Sequence, residues 1–318
     1  MAKPTVLHIA DVPLVPELQN EFIAKFEHYY IWEQKDRGRF FQEKGSLIKG
    51  IVTDTKGWVN KELLQNLPNV EIVSSYSVGL DKVDLGLCKE RGIVVTNTPD
   101  VLTDCTADTA LALLLACMRQ IPAAHRYVCE GKWPIHGDFP YTTKVSGKRV
   151  GVVGLGRIGA AIAKRCEGFG CKISYYARSK KSDYPHYSYY NNVVELAKNS
   201  DILIAACALT KETTKIINRE VLDALGPKGY VVNIARGPVM DEAELVKALV
   251  EKRLAGAGLD VFVNEPEVPK ELLDMDNVVL QPHVGSATVE TRTEMATLVV
   301  RNLIAHFSGQ PLLTPVDM

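Results

Sequence analysis

The 318-residue chain carries 37 lysines and arginines against 38 aspartates and glutamates, a net charge of −1, so no overall field draws it to nucleic acid or to an anionic membrane surface. With 46% hydrophobic residues it can fill about two domain cores, and its densest apolar run, residues 111–118, is far too short to span a bilayer. Its seven cysteines, Cys88, Cys105, Cys117, Cys129, Cys166, Cys171 and Cys207, form no C-x-x-C pair and no zinc spacing, which argues against a disulfide scaffold or a metal site and suits a reducing, cytoplasmic setting.

Neither the opening Met1-Ala2-Lys3-Pro4 nor the final Pro315-Val316-Asp317-Met318 reads as a targeting signal. Short β-rich runs at 5–10, 29–33, 48–53, 70–75 and 93–97 alternate with helical spacing at 14–28, 60–67 and 83–91. That alternation predicts a parallel sheet with helices on both faces. Asn97-Thr98-Pro99-Asp100 breaks the pattern, because proline disfavours helix in the residue before it. Residues 106–130 then read as one long helix, apolar over most of its circumference through Ala110, Leu111, Leu113, Leu114, Ala116, Cys117 and Met118. Such a helix is expected to be buried on several sides, as between two domains or two subunits.

The buried-strand pattern of 150–153 opens into Gly154-Leu155-Gly156-Arg157-Ile158-Gly159, and helical spacing follows over 160–169. Glycines at 154 and 156 permit a tight turn and close approach of main-chain N–H groups to a pyrophosphate, and Gly159 lets the helix pack on the strand. The helix N-terminus adds unpaired donors and a partial positive charge. Further strands are expected at 172–177, 202–206, 230–235, 258–262 and 277–280, which makes six in a doubly wound, Rossmann-type dinucleotide-binding domain.

About 20 residues beyond the glycine turn, where a carboxylate would bond the ribose 2′-hydroxyl, stands Ala177, followed by Arg178, Ser179, Lys180 and Lys181. No acid is there to repel a 2′-phosphate and cations are there to bind it, so NADP(H) is expected to be preferred and NAD(H) to remain usable. After Pro282-His283-Val284-Gly285, residues 288–307 read as a second long helix with Met295, Leu298, Val299, Leu303 and Ile304 on its apolar face. It is expected to return the chain to the first unit. The boundaries expected are 1–98 with 285–318 for a discontinuous substrate domain, and 99–284 for the dinucleotide-binding domain.

Four motifs in order, Gly154 to Gly159, Asn233-Ile234-Ala235-Arg236-Gly237, Gly258-Leu259-Asp260-Val261-Phe262 with Glu265-Pro266, and Pro282-His283-Val284-Gly285, are joined in the first unit by Ser77-Val78-Gly79-Leu80-Asp81. With them the chain resembles the D-isomer-specific 2-hydroxyacid dehydrogenases over nearly its whole length. Among these it looks most like the plant hydroxyphenylpyruvate reductases, which also act on hydroxypyruvate, through the runs 75–84, 177–181 and 306–309. The resemblance implies an α/β protein of two doubly wound parallel-sheet domains, the Rossmann-type domain inserted into a flavodoxin-like one, and a homodimer. It also implies NADPH-dependent reduction of a 2-oxo acid, 4-hydroxyphenylpyruvate or hydroxypyruvate, to the D-2-hydroxy acid.

Such a reduction needs a hydride at C2, a proton for the carbonyl oxygen and a cation for the carboxylate. By the same resemblance His283 is the acid, with substrate bound between the domains. Glu265 beside it would orient the imidazole and favour its charged form. Arg236 offers a planar fork that matches a carboxylate and polarises the carbonyl, while the main-chain N–H groups of Val78 and Gly79 would take the other carboxylate oxygen. Asp260 resembles the aspartate near the nicotinamide amide, and Ile234 and Ala235 would line the ring. Two other readings stand beside this one. A glyoxylate/hydroxypyruvate reductase without aromatic specificity would carry the same motifs, because the substrate's side chain is expected to meet other positions, such as Ile48, Thr53, Tyr76 or Trp133. A nucleotide-sensing, corepressor-like binding module would fit an altered triad better than this chain, which has Arg236, Glu265 and His283 all in place.

Overall fold

The protein is described here by a computed structural model, over residues 3–318. Through Leu102, strands and helices alternate as β1 (Thr5–His8), α1 (Pro16–Lys25), β2 (Glu27–Tyr30), α2 (Arg37–Lys44), β3 (Ile48–Thr53), α3 (Lys61–Gln65), β4 (Ile72–Ser75), α4 (Leu85–Glu90) and β5 (Val94–Thr96). Every strand pair is parallel, in the order β2-β1-β3-β4-β5. This is the flavodoxin-like winding, with its switch point between β1 and β3. β1 and β4 are buried at every residue, as parallel strands covered by helices on both faces must be.

Two elements differ from the sequence reading. The strand expected at 29–33 runs instead over Glu27–Tyr30, and Ile31–Glu33 forms a 3-10 turn to which the Gln34 side chain adds a bond to the Tyr30 carbonyl at 3.0 Å. Helix α2 has no counterpart in the reading because it buries only Phe40 and so offers no apolar period. Its start is local chemistry, with the Asp36 carboxylate accepting the Arg39 N–H at 3.0 Å.

From Thr103 the elements are α5 (Thr103–Met118), α6 (Ile121–Cys129), α7 (Trp133–His136), β6 (Arg149–Val153), α8 (Arg157–Glu167), β7 (Lys172–Tyr176) and β8 (Ser188–Tyr190). They continue as α9 (Val193–Lys198), β9 (Ile202–Ala205), α10 (Arg219–Leu225), β10 (Tyr230–Asn233), α11 (Glu242–Val250), β11 (Gly256–Leu259), α12 (Lys270–Leu273) and β12 (Val278–Leu280). The seven strands lie parallel in the order β12-β11-β10-β9-β6-β7-β8, a Rossmann-type sheet whose switch point falls between β6 and β9.

Three expectations are corrected here. The sheet has a seventh strand, β8, whose three residues Ser188-Tyr189-Tyr190 are too few and too polar to read as one. β11 stops at Leu259, so Asp260 to Phe262 lie beyond the strand instead of within it. The helix expected over 106–130 is two helices, since Gln120 takes a left-handed φ of +47° and Pro122 opens the second. Proline has no N–H to continue the first helix but suits the first turn of the next. The apolar circumference of α5 is satisfied inside its own unit, where it packs on β10, β11, β12 and α8. A Cβ at Gly258 would come within 2.9 Å of Leu113, so glycine in β11 lets the helix lie directly on the sheet.

The last helix, α13 (Val289–Phe307), is capped by Thr288, whose hydroxyl accepts the Thr291 N–H at 3.3 Å. It rejoins the first sheet, packing on β4 and α1, with Arg301 paired to Glu21 at 2.6 Å. The chain therefore forms two units, one of the residues to Leu102 with Ala287–Met318, the other Thr103–Ser286. Among the described residues no helix is long and apolar enough to cross a membrane.

Candidate active site

The glycine turn has the shape its spacing predicts. Gly154 adopts φ +101°, and a Cβ there would sit 2.6 Å from the Cys207 main chain; one at Gly159 would sit 2.0 Å from the Gly154 carbonyl oxygen. Only glycine allows either approach. Gly156, the residue capping α8, differs because a Cβ there would meet nothing within 4 Å. The helix N-terminus thus faces open space bordered by main chain, which fits the pyrophosphate of a dinucleotide cofactor. Leu155 is buried and Ile158 packs against the same core, so these two can offer a phosphate only their main-chain N–H groups. The Arg157 side chain is exposed. After β7, Ala177 and Arg178 are half-buried, and Ser179, Lys180 and Lys181 are exposed.

Loops following β10, β11 and β12 carry the charged groups. After β10, Ile234 and Ala235 are buried, and buried Asn233 fastens the turn that presents Arg236. Its side-chain oxygen accepts the Ala235 N–H at 3.0 Å and its amide donates to the Arg236 carbonyl at 3.0 Å. The Arg236 guanidinium bonds the Ala235 carbonyl at 2.8 Å. At Gly237 a Cβ would lie 2.0 Å from the Phe262 carbonyl carbon, so the loops after β10 and β11 meet main chain to main chain.

The second of those loops holds Glu265, which precedes a cis proline. One carboxylate oxygen accepts the Phe262 N–H at 3.0 Å and the other contacts His283 Nδ1 at 2.8 Å. Burial pushes the Glu265 carboxyl up, but the bond to His283, the Phe262 amide and the neighbouring Arg236 outweigh it and hold it below the usual carboxylate range. With Nδ1 engaged, Nε2 is the ring nitrogen left for a ligand.

His283 adopts φ +55°, a left-handed conformation that costs a side-chain-bearing residue of order 1 kcal/mol and is held only by its surroundings. Those surroundings are Asp260. Its carbonyl accepts the His283 N–H at 2.8 Å, and its two carboxylate oxygens accept the N–H groups of Val284 and Gly285 at 2.8 and 2.9 Å. Burial raises the Asp260 carboxyl above its ordinary range, and the two amide bonds offset this only in part. Asp260, expected near the nicotinamide amide, thus has both carboxylate oxygens engaged by the loop that carries His283.

In the first unit, Val78 and Gly79 follow β4. Their carbonyls are taken by side chains, Val78 by the Asn97 amide at 3.0 Å and Gly79 by the Ser77 hydroxyl at 2.6 Å. Among the described residues no acceptor takes their N–H groups. The four side-chain-facing positions scatter. Ile48 begins β3 and is fully buried, at the strand end away from Thr53, so it is a core residue and not a loop contact. Thr53 bonds the Gly57 carbonyl at 2.9 Å, the Tyr76 hydroxyl bonds the Arg292 carbonyl at 3.1 Å, and Trp133 stands 56% exposed on α7. Asn233 and Gly237 acquire site roles that the sequence reading did not assign, since each acts through a main-chain contact.

Residues 111–285 match the family described as D-isomer specific 2-hydroxyacid dehydrogenase, NAD binding domain. The chain is 58% identical over 304 residues to the hydroxyphenylpyruvate reductase of Plectranthus scutellarioides, covering 96% of each. It is 55% identical, again over 304 residues and 96% of each, to glyoxylate/hydroxypyruvate reductase A of Arabidopsis thaliana. A crystal structure of the NADPH-dependent glyoxylate/hydroxypyruvate reductase of Sinorhizobium meliloti with NADP and malonate superposes with a TM-score of 0.92 at 42% identity, covering 99% of this chain and 97% of that one. The chain belongs to the D-isomer-specific 2-hydroxyacid dehydrogenase family. It is an enzyme, an oxidoreductase that uses a nicotinamide dinucleotide and acts on a small 2-oxo acid.

Proposed function

We propose that the protein reduces 4-hydroxyphenylpyruvate, hydroxypyruvate or both to the D-2-hydroxy acid, with NADPH as its preferred reductant. The observation that carries this reading is the 2.8 Å bond between His283 and Glu265 on a loop clamped by Asp260. A bound nicotinamide supplies the hydride for C2. His283 Nε2 gives the proton to the carbonyl oxygen, and Glu265 holds Nδ1 so that the ring keeps its orientation. Arg236 grips the substrate carboxylate through its fork, and the main-chain N–H groups of Val78 and Gly79, which no acceptor takes among the described residues, are assigned as further donors to the carboxylate. Gly154 to Gly159 cradle the pyrophosphate, Ile234, Ala235 and Asp260 serve the nicotinamide end, and Ala177, Arg178 and Ser179 receive the 2′-phosphate.

Aromatic and small substrates are both supported by the relatives, one named for hydroxyphenylpyruvate and the other for glyoxylate and hydroxypyruvate. A reductase of glyoxylate and hydroxypyruvate alone is therefore the second reading. Steady-state kinetics on hydroxypyruvate, glyoxylate and 4-hydroxyphenylpyruvate, each with NADPH and with NADH, separate the two. The expected result is higher kcat/KM on hydroxypyruvate and 4-hydroxyphenylpyruvate than on glyoxylate, and higher with NADPH than with NADH. No turnover of the aromatic acid selects the second reading, and equal efficiency with both cofactors overturns the NADPH preference. Exposed Ile121, Val128, Trp133 and Ile135 on α6 and α7 support a homodimer through that face. No disulfide forms between the seven cysteines among the described residues, which supports a reducing, cytoplasmic setting.

A further inference from the structure

The basic loop after β7 is fastened at both ends by tyrosine hydroxyls from beneath. Tyr175 and Tyr189 are cross-strand partners in β7 and β8, their rings 5.4 Å apart. The Tyr189 hydroxyl donates to the Ala177 carbonyl at 3.3 Å, where the loop leaves the strand. The Tyr175 hydroxyl accepts the Lys181 N–H at 2.8 Å, where it turns away. Tyr175 is fully buried. A phenylalanine would fill the same space, and a buried hydroxyl costs free energy unless it is bonded. The Lys181 bond compensates that cost, and its effect is to fix the path of Arg178, Ser179 and Lys180 between two anchors.

From this geometry we propose that Tyr175, assisted by Tyr189, is a positioning residue for cofactor choice: its hydroxyl holds the 178–181 loop in the conformation that receives a 2′-phosphate. The proposal rests on the NADPH reading above. A loop fixed before binding has less freedom to lose when the ligand arrives. Only NADP(H) brings a charged 2′-phosphate for the cations of this loop to bind, NAD(H) offering a neutral hydroxyl in its place, so the benefit falls mainly on one cofactor.

The test is Tyr175→Phe in the full-length enzyme, with Kd, KM and kcat measured for NADPH and NADH beside the wild type. Losing one buried hydrogen bond should raise Kd and KM for NADPH about three- to tenfold, with the NADH constants and kcat unchanged. Tyr189→Phe, at a half-buried position, should move the same ratio in the same direction by less, and it serves if the first variant folds poorly. A wild type with equal affinity for both cofactors overturns the NADPH reading and this proposal with it. A wild type that prefers NADPH, with variants that keep the preference or weaken both cofactors equally, overturns the proposal alone.

Discussion

One histidine in each unit stands at or just past the carboxyl end of a parallel strand, and the two have opposite surroundings. His8 ends β1, buried among Phe22, His28 and Tyr30, with no hydrogen-bond partner for Nε2 among the described residues. Burial, aided by His28, pushes it down to about 3. His283 follows β12, partly exposed, with a carboxylate on one ring nitrogen and three consecutive main-chain amides tied to Asp260. A lone imidazole without a counter-charge serves as a ring in a core. An imidazole fixed by carboxylates at the mouth of a sheet is the one to which the proposed function gives the proton transfer.

The sharpest break of that contrast is His283→Ala. It should lower kcat by about a hundredfold to ten-thousandfold, the usual worth of a positioned acid, while Kd for NADPH stays within about twofold of wild type. Fluorescence titration beside steady-state kinetics checks both, and retained turnover would remove His283 from the chemistry. A middle effect is expected from Asp260→Asn, which keeps the size but turns one acceptor into an NH2 facing an amide. Freed from its clamp, the left-handed backbone at His283 relaxes, and kcat should fall about tenfold with little change in NADPH affinity. A loss confined to NADPH affinity would instead place Asp260 with the nicotinamide alone.

The smallest effect belongs to His8. Its folded-state pKa of about 3 lies below the value of about 6.5 in an unfolded chain, so between these limits the unfolded state holds the extra proton. Its contribution to stability is therefore intact above about pH 6.5 and declines by about 1.4 kcal/mol per pH unit as acid is added through this window. His8→Phe should reduce the drop in Tm between pH 7.5 and pH 5.0 and leave kcat at pH 7.5 as it was. Equal drops in variant and wild type would mean that His8 is not the group titrating.

Features fixed by neighbours in sequence were readable in advance. The glycine turn is an example, because Gly159 meets Gly154 and Gly156 caps the helix they start, although the approach of Gly154 to Cys207 is a long-range contact. The Arg236, Glu265 and His283 set came from resemblance, since nothing in the offset of 18 positions between Glu265 and His283 states that their side chains meet. Asn233 and Gly237 stayed hidden for a similar reason. The contact that makes Gly237 necessary is the main chain of Phe262, 25 positions away, and a turn glycine looks the same with or without it. The break at Gln120 was signalled by Pro122, but the apolar pattern on both sides outweighed it. Helix α2 and strand β8 had no pattern to detect, being polar and short.

The bare contact at Gly237 also bears on how the enzyme can change over evolutionary time. Because nothing but backbone separates the Arg236 turn from the Phe262 segment, any side chain at 237 would wedge the guanidinium away from the Glu265 and His283 pair. On the roles proposed above, carboxylate grip and proton supply are thus geared together and cannot drift apart by small steps. On the same reading, variation in substrate range or in cofactor choice is expected at positions such as Tyr76 or Arg178, which can vary while this joint stays closed.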